Sequence, residues 1–197
     1  PITSTNITGQ NVPPREQWFH ISTPSVSDVN FTIKRGDGSE FATGTVSNAV
    51  PWTDRANLSN SINDLYGYLL ASNDNETEQI LTQHGFIIEA DKEIYVSVRF
   101  RTTNHAGAIV SKGESALGTR FRAGSLQVRN GYLNFVSIMA TEDNTLVSFD
   151  LPAESLSGNI GLQNIGPLSK GQSYIVASDD GLMGIIGTLI ESNKPIV

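Results

Sequence analysis

In three separate stretches of this chain, apolar side chains fall on every second residue. In VNFTIK, Val29, Phe31 and Ile33 face one way, and Asn30, Thr32 and Lys34 face the other. IYVSVRF sets Ile94, Val96, Val98 and Phe100 against Tyr95, Ser97 and Arg99, and LVSFDL repeats the pattern with Val147, Phe149 and Leu151. A period of two, with β-branched and aromatic residues on the repeating side, belongs to a strand with one buried face. The intervening RGDGS, EADK, VRNG and SDDG carry turn chemistry. The fold class expected is all-β, with antiparallel, sandwich-like sheets.

Only two segments compete for helix. NETEQILTQHG offers Asn75 as an N-cap, Glu78 three residues on and Gly85 as a terminating glycine, which predicts a short helix over 76–83. LSNSINDLYGYLL has Leu58, Ile62, Leu65, Tyr66 and Leu69 at helical spacing. Gly67 and the Asn and Ser residues weaken that reading, and a loop followed by a strand at 68–71 fits equally.

The chain also repeats itself. GFIIEADKEIY (Gly85–Tyr95) and GTLIESNKPIV (Gly187–Val197) share the Gly, Ile88/Ile190, Glu89/Glu191, Lys92/Lys194 and Ile94/Ile196. Upstream, WFHISTPSVSDVNFTI and FVSIMATEDNTLVSF correspond with an insertion between. In the hairpin, Asp91 and Asn193 are expected to accept from amides two residues on, an Asx turn. The expected organisation is an extended segment over 1–14, a first β lobe over 15–128 and a related second lobe over 129–197. On this reading the second unit lacks strands that follow its copy of the hairpin. Either the intact protein runs on past Val197 or the second unit is minimal.

Charge and composition narrow the function classes. A net charge of −7, with Lys and Arg scattered singly, argues against a nucleic-acid partner. No apolar run reaches the length of a membrane helix, so no membrane insertion is expected. The absence of cysteine removes disulfides, thiolate nucleophiles and cysteine-ligated metals.

Catalytic and metal motifs fail on spacing. His20, His84 and His105 have no ligand-type neighbour at local spacing. GESALG around Ser115 is one residue too long for a nucleophile elbow, and GPLSKGQS has Gln172 where a phosphate loop needs Lys. The oxygen-rich loops TEDNT, SNDNE and SDDG match no EF-hand or nonapeptide repeat. They read as self-bonding Asx turns, and no cofactor is expected, Ca²⁺ being the one candidate. Two groups remain as candidate binding residues: Arg35, Gly36 and Asp37 on a hairpin tip, and Arg101, His105 and Lys112 around the loop TTNHAGAIVSKG.

Four blocks, HGFIIEADKEIYVSVRF, HAGAIVSKGESALGTRFRAG, FVSIMATEDNTLVSF and GIIGTLIESNKPIV, occur in an order that resembles the amino-terminal domain of the IgGFc-binding-protein family. The resemblance runs from about Val12 to the last residue. It is nearest the branch found in large surface proteins of Bacteroidota, often with a gliding-motility-associated carboxy-terminal domain read by type IX secretion machinery. It implies a secreted or cell-surface adhesion module with no active site to carry over. The immunoglobulin activity in the family name belongs to the animal mucus protein and is not transferred. The ligand would be a glycan or a protein surface, with other domains of the same chain as further partners. A spacer that presents other domains and binds nothing is the structural rival. A carbohydrate-active enzyme is the third reading, and it would need Glu89 and Glu191 to face each other across a cleft. An exposed row among Trp18, Trp52, Tyr66, Tyr68 and Tyr132 would favour glycan binding.

Overall fold

The computed structural model describes residues 2–3, 16–53, 70–71, 76–101, 106–124, 134–180 and 184–197. Fifteen strands account for most of them: β1 (Ile2–Thr3), β2 (Glu16–Ser22), β3 (Val29–Arg35), β4 (Glu40–Val46), β5 (Trp52–Thr53), β6 (Leu70–Ala71), β7 (Phe86–Ala90) and β8 (Tyr95–Arg101). Then follow β9 (Ala106–Val110), β10 (Gly118–Arg122), β11 (Asn134–Met139), β12 (Thr145–Leu151), β13 (Gly161–Leu168), β14 (Ser173–Ser178) and β15 (Leu189–Ile196). The protein is all-β, as its alternation predicts, and its sheets stay open. Among the described residues all strand pairings are antiparallel except the two-residue parallel contact of β1 with β6.

In the first lobe, β5-β2-β8-β9 faces β4-β3-β7. Phe19 and Ile21 from one sheet meet Val29, Phe31, Ile33 and Val46 from the other. In β3 burial alternates in step with the sequence, Val29, Phe31 and Ile33 inside. Phe86 stands edge-on to Phe19, with ring centroids 5.0 Å apart, and to Phe41 at 5.2 Å, so the aromatic corner packs in the favoured geometry.

The second lobe sets β10-β15-β12-β13 against β11-β14. Val147, Phe149 and Leu151 of β12 point into a core closed by Ile138, Tyr174, Val176, Ile190 and Ile196. β10 falls among the residues expected in the first lobe, yet it pairs with β15.

The two lobes share more than residue types. β3 sits between β4 and β7, and β12 sits between β13 and β15. Thr32 opposes Glu89 and Ile33 opposes Ile88; Ser148 opposes Glu191 and Phe149 opposes Ile190. The repeated hairpin therefore docks at the same register in both lobes. A slip of one residue would turn every buried side chain outward, so equal register means equal inward faces.

The repeated polar residues act across strands. The expected local Asx turn is not what forms. Asp91 Oδ1 accepts the Asn30 amide (3.1 Å), and Asn193 Oδ1 accepts the Leu146 amide (2.8 Å), the equivalent position in the other lobe. Lys92 Nζ donates to Ser27 Oγ (2.7 Å), and Lys194 Nζ donates to the Asp143 carbonyl (2.6 Å). In each lobe the Asx–Lys pair thus staples the turn that leads into the central strand. A longer-range donor wins because the start of β3 or β12 lies against the hairpin and offers a backbone amide that needs an acceptor.

The helix predicted over 76–83 is absent. Residues 76–79 form a turn with Glu78 at φ 56°, and Leu81 forms a β-bridge with Ser173. The Glu78 amide donates to the Ile175 carbonyl (2.7 Å), while Leu81 and Ser173 exchange both amide bonds at 2.9 Å. The backbone groups a helix would pair internally are spent on the edge of β14. Burial of Leu81 against Ile175 and Phe135 adds the apolar incentive. The alternative helix over 58–69 lies outside the described residues; of the strand offered at 68–71, β6 covers Leu70–Ala71.

Candidate functional site

A cleft of about 920 Å³ opens between the lobes. The first lobe contributes Phe19, Phe86, Ile88 and the β8 side chains Val96 and Val98, and the second contributes Ser137, Ile138, Met139 and Val197. The lining is apolar because Val96 and Val98 of β8, together with Phe86 and Ile88, pack on the first core and are only partly covered by it. Its rim is apolar as well: Tyr95 is 55 %, Ile109 50 % and Val110 56 % exposed. Neighbouring exposed apolar groups on one rim are the pattern of a contact surface rather than of scattered surface residues.

Among the described residues four ionisable side chains line the cleft: His84, Glu93, Tyr95 and Lys112. His84 is half-buried, and burial pushes its imidazole below the ordinary 6.5, with the Glu76 carboxylate at 3.6 Å pulling the other way. Because the folded value is lowered, protonation favours the unfolded chain. The His84 contribution to stability is whole above pH 6.5 and is lost as pH falls through the lowered folded value. We expect an NMR titration of His84 to show a midpoint below 6.5 and His84→Gln to flatten the acid limb of the unfolding profile. A midpoint at or above 6.5 would contradict the burial. Among the described residues no group of His, Asp or Glu side chains is placed to hold a metal ion.

The sequence candidates separate in space. Lys112 stands exposed on the cleft rim. Arg101 ends β8, where its backbone opposes Glu16 and Ala106, and His105 lies outside the described residues. Arg35, Gly36 and Asp37 do form a hairpin tip; Gly36 packs against the second lobe, while Asp37 stays exposed. Asp37 Oδ1 accepts the Ser39 amide (2.9 Å) and hydroxyl (2.6 Å), and Oδ2 accepts Gln83 Nε2 (2.7 Å). These bonds, the Ser39 hydroxyl foremost, hold its carboxyl below the ordinary carboxylate value. The Arg35 guanidinium lies over the Phe41 ring at 5.2 Å and donates to the Glu40 carbonyl. Gly36 is buried against the Gly171 turn.

Glu89 pairs with Lys34 (2.6 Å) and Glu191 with Arg120 (3.2 Å), each carboxylate engaged by a cation of its own lobe. Of the aromatic row, Trp52 packs edge-on to Phe31 (5.0 Å) and Trp18 is half-buried, while Tyr66, Tyr68 and Tyr132 lie outside the described residues. The cleft itself was missed by residue-by-residue reading. The one signal for it was that Ile109 and Val110 are successive apolar residues on an edge strand, where alternation would bury only one.

Strands β9 to β15 carry a likeness to a known family. Residues 106–197 match the family model described as IgGFc binding protein. The match takes in the whole second lobe together with β9, the strand that supplies the exposed apolar rim. Neither a curated protein nor a solved structure matches the chain. Among the described residues no helix is long and apolar enough to cross a membrane.

Proposed function

We propose that this chain is a non-catalytic binding module of an extracellular or cell-surface protein, and that its inter-lobe cleft takes a protein ligand. The observation that carries this reading is the apolar rim of Tyr95, Ile109 and Val110 beside an apolar cleft; Ile109 and Val110 fall within the stretch that matches a family named for protein binding. Apolar area flanked by a few charged groups suits the core-and-rim anatomy of a protein interface. Lys112 at the rim supplies a charge that orients a partner without being buried. The immunoglobulin Fc fragment enters as the first ligand to try because the family description names it. Export by a type IX secretion pathway in a Bacteroidota-like surface protein belongs to the same reading, as does an adhesive role.

The test immobilises the 197-residue module and measures binding of the Fc fragment, of a panel of surface proteins and of a glycan array, with Ca²⁺ and then with EDTA. Saturable protein binding that Ile109→Asp weakens by about tenfold or more, with unfolding midpoints unchanged, is the expected result. Ile109 is half-exposed, so the substitution removes contact area without opening the core. Binding to glycans alone would replace the protein ligand with a carbohydrate, and loss in EDTA would bring the acidic loops back as calcium sites. No saturable binding to any of these would leave the spacer role.

A further inference from the structure

The two lobes meet along a seam that carries costs as well as gains. Segment 76–84, which leads into β7 of the first lobe, lies along the β14 edge of the second. The Glu78 amide donates to the Ile175 carbonyl, Leu81 and Ser173 exchange amide bonds, and Leu81 packs on Ile175 and Phe135. Glu78 Oε1 accepts the Ser157 amide (3.2 Å) and Oε2 accepts Asn159 Nδ2 (2.5 Å). Gln83 Nε2, bonded to Asp37, ties the segment to the hairpin tip whose Gly36 packs on Gly171. Tip and segment therefore leave or hold the second lobe together.

Three costs lie in the same place. Glu78 sits at φ 56°, a conformation that L side chains adopt only under constraint. Ser173 Oγ and His84 Nδ1 are buried without a hydrogen-bond partner among the described residues. Ser173 stands directly opposite Leu81 and shares that face of β14 with Ile175, so the docked segment helps to shut its hydroxyl off from water. An orphaned polar atom regains its hydrogen bond when water returns, so both atoms favour separation, as does the backbone of Glu78.

The covalent link between the lobes, residues 111–117 joining β9 to β10, is free to turn. Past Ser111 its described hydrogen bonds stay inside the link: the Gly113 amide donates to Ser111 Oγ (3.1 Å), the Ser115 hydroxyl to the Lys112 carbonyl (2.5 Å) and the Leu117 amide to the Glu114 carbonyl (3.1 Å). None of its residues is buried, and Gly113, at φ +57°, has open space around it. A few exposed residues bonded only to one another are the kind that absorb backbone rotation in a hinge.

We propose that segment 76–84 is a latch. When it leaves the β14 edge together with the Gly36 tip, the lobes turn about residues 111–117 and the cleft passes from the closed form described above to an open one. The latch runs straight into the cleft wall: His84 and Gly85 line the cleft, and Gly85 lies against Met139 Sδ of the second lobe. Use of this motion to admit a ligand rests on the cleft reading above. The motion itself does not, and its test needs no ligand.

Amide exchange of the 197-residue protein is followed by NMR. Exchange at Glu78, Leu81 and Ser173 is expected to be at least about tenfold faster than at Phe149 and Ile190 of the second core, the mark of an opening short of unfolding. Ser173→Ala removes the orphaned hydroxyl and should slow the Glu78 and Leu81 amides by about tenfold. Leu81→Ser removes the apolar contact and should speed exchange at Glu78. Lobe movement is read from spin labels at Thr43→Cys and Lys170→Cys, one exposed site on each lobe of a chain without native cysteine. In the Leu81→Ser background a second, longer distance should appear beside the first, and Ser173→Ala should show the first alone. The Ser173→Ala comparison keeps its force even where Leu81→Ser fails to fold. Fast latch exchange with one distance in both backgrounds would mean fraying without lobe movement and would overturn the proposal. Latch amides that exchange no faster than the core, or that Ser173→Ala leaves unchanged, would overturn it as well.

Discussion

Gly171→Ala is expected to destabilise the protein by about 3 kcal/mol, combining the cost of a side chain at positive φ with that of overpacking. Gly171 sits at φ +85°, and a Cβ there would collide with the Gly36 carbonyl oxygen and lie 2.8 Å from its carbon. The reverse holds for Gly36, whose Cβ would run into the Gly171 carbonyl and stand 2.8 Å from the Thr82 oxygen. Both neighbours are backbone, so neither substitution can be absorbed by turning a side chain. Gly38 is the control: it shares φ +85° but has open space around its Cβ. Gly38→Ala should cost only about 1 kcal/mol, the backbone penalty alone. Urea denaturation of the three variants and of the Gly36/Gly171 double variant decides the matter. The double variant should cost less than the two singles together, because both break one contact. Equal costs at Gly171 and Gly38 would mean that the hairpin tip does not dock tightly on the second lobe.

The second large effect is expected at Phe149. Its ring is fully buried at the centre of β12, with the Tyr174 ring 5.8 Å away. Phe149→Ala should cost about 4 kcal/mol, through lost transfer energy and an unfilled cavity, and Phe149→Leu about 1 kcal/mol. The neighbour supplies an independent readout. Burial, assisted by the Glu78 carboxylate, pushes the Tyr174 phenol up to about 12 from the ordinary 10.0. A raised folded value means the folded state holds the proton more tightly, so this stabilisation is whole below pH 10 and is lost as pH rises toward about 12. With the Phe149 ring gone, water reaches the phenol, and its ionisation, followed by phenolate absorbance, should move back toward the ordinary value. An unfolding cost below about 1 kcal/mol in the Ala variant would show that the second core is loosely packed.

How far each feature could be read in advance depended on the range of the interactions behind it. The strands β3, β8 and β12 were legible because burial of one face writes a period of two directly into neighbouring residues, as at Val29, Phe31 and Ile33. The repeat was legible too, and the identities Glu89/Glu191 and Lys92/Lys194 proved to stand at matching structural positions. The segment 76–83 was misread because its capping signals are local, whereas its hydrogen bonds go to β14, nearly a hundred residues away in sequence. The Arg35-Gly36-Asp37 tip was correctly placed on a hairpin. That Gly36 docks on the second lobe depends on where Gly171 lies, which no local pattern records.

By itself the sequence determined the all-β class, the faces of its central strands and the repetition of one hairpin, since each follows from residues a few positions apart. Tertiary structure alone decided that the two hairpins share a register and that an apolar cleft lies between the lobes. These are properties of surfaces assembled from distant segments. Whether an apolar side chain such as Ile109 or Val136 is covered depends on which strand arrives beside it, and that is settled by packing rather than by the side chain's own chemistry.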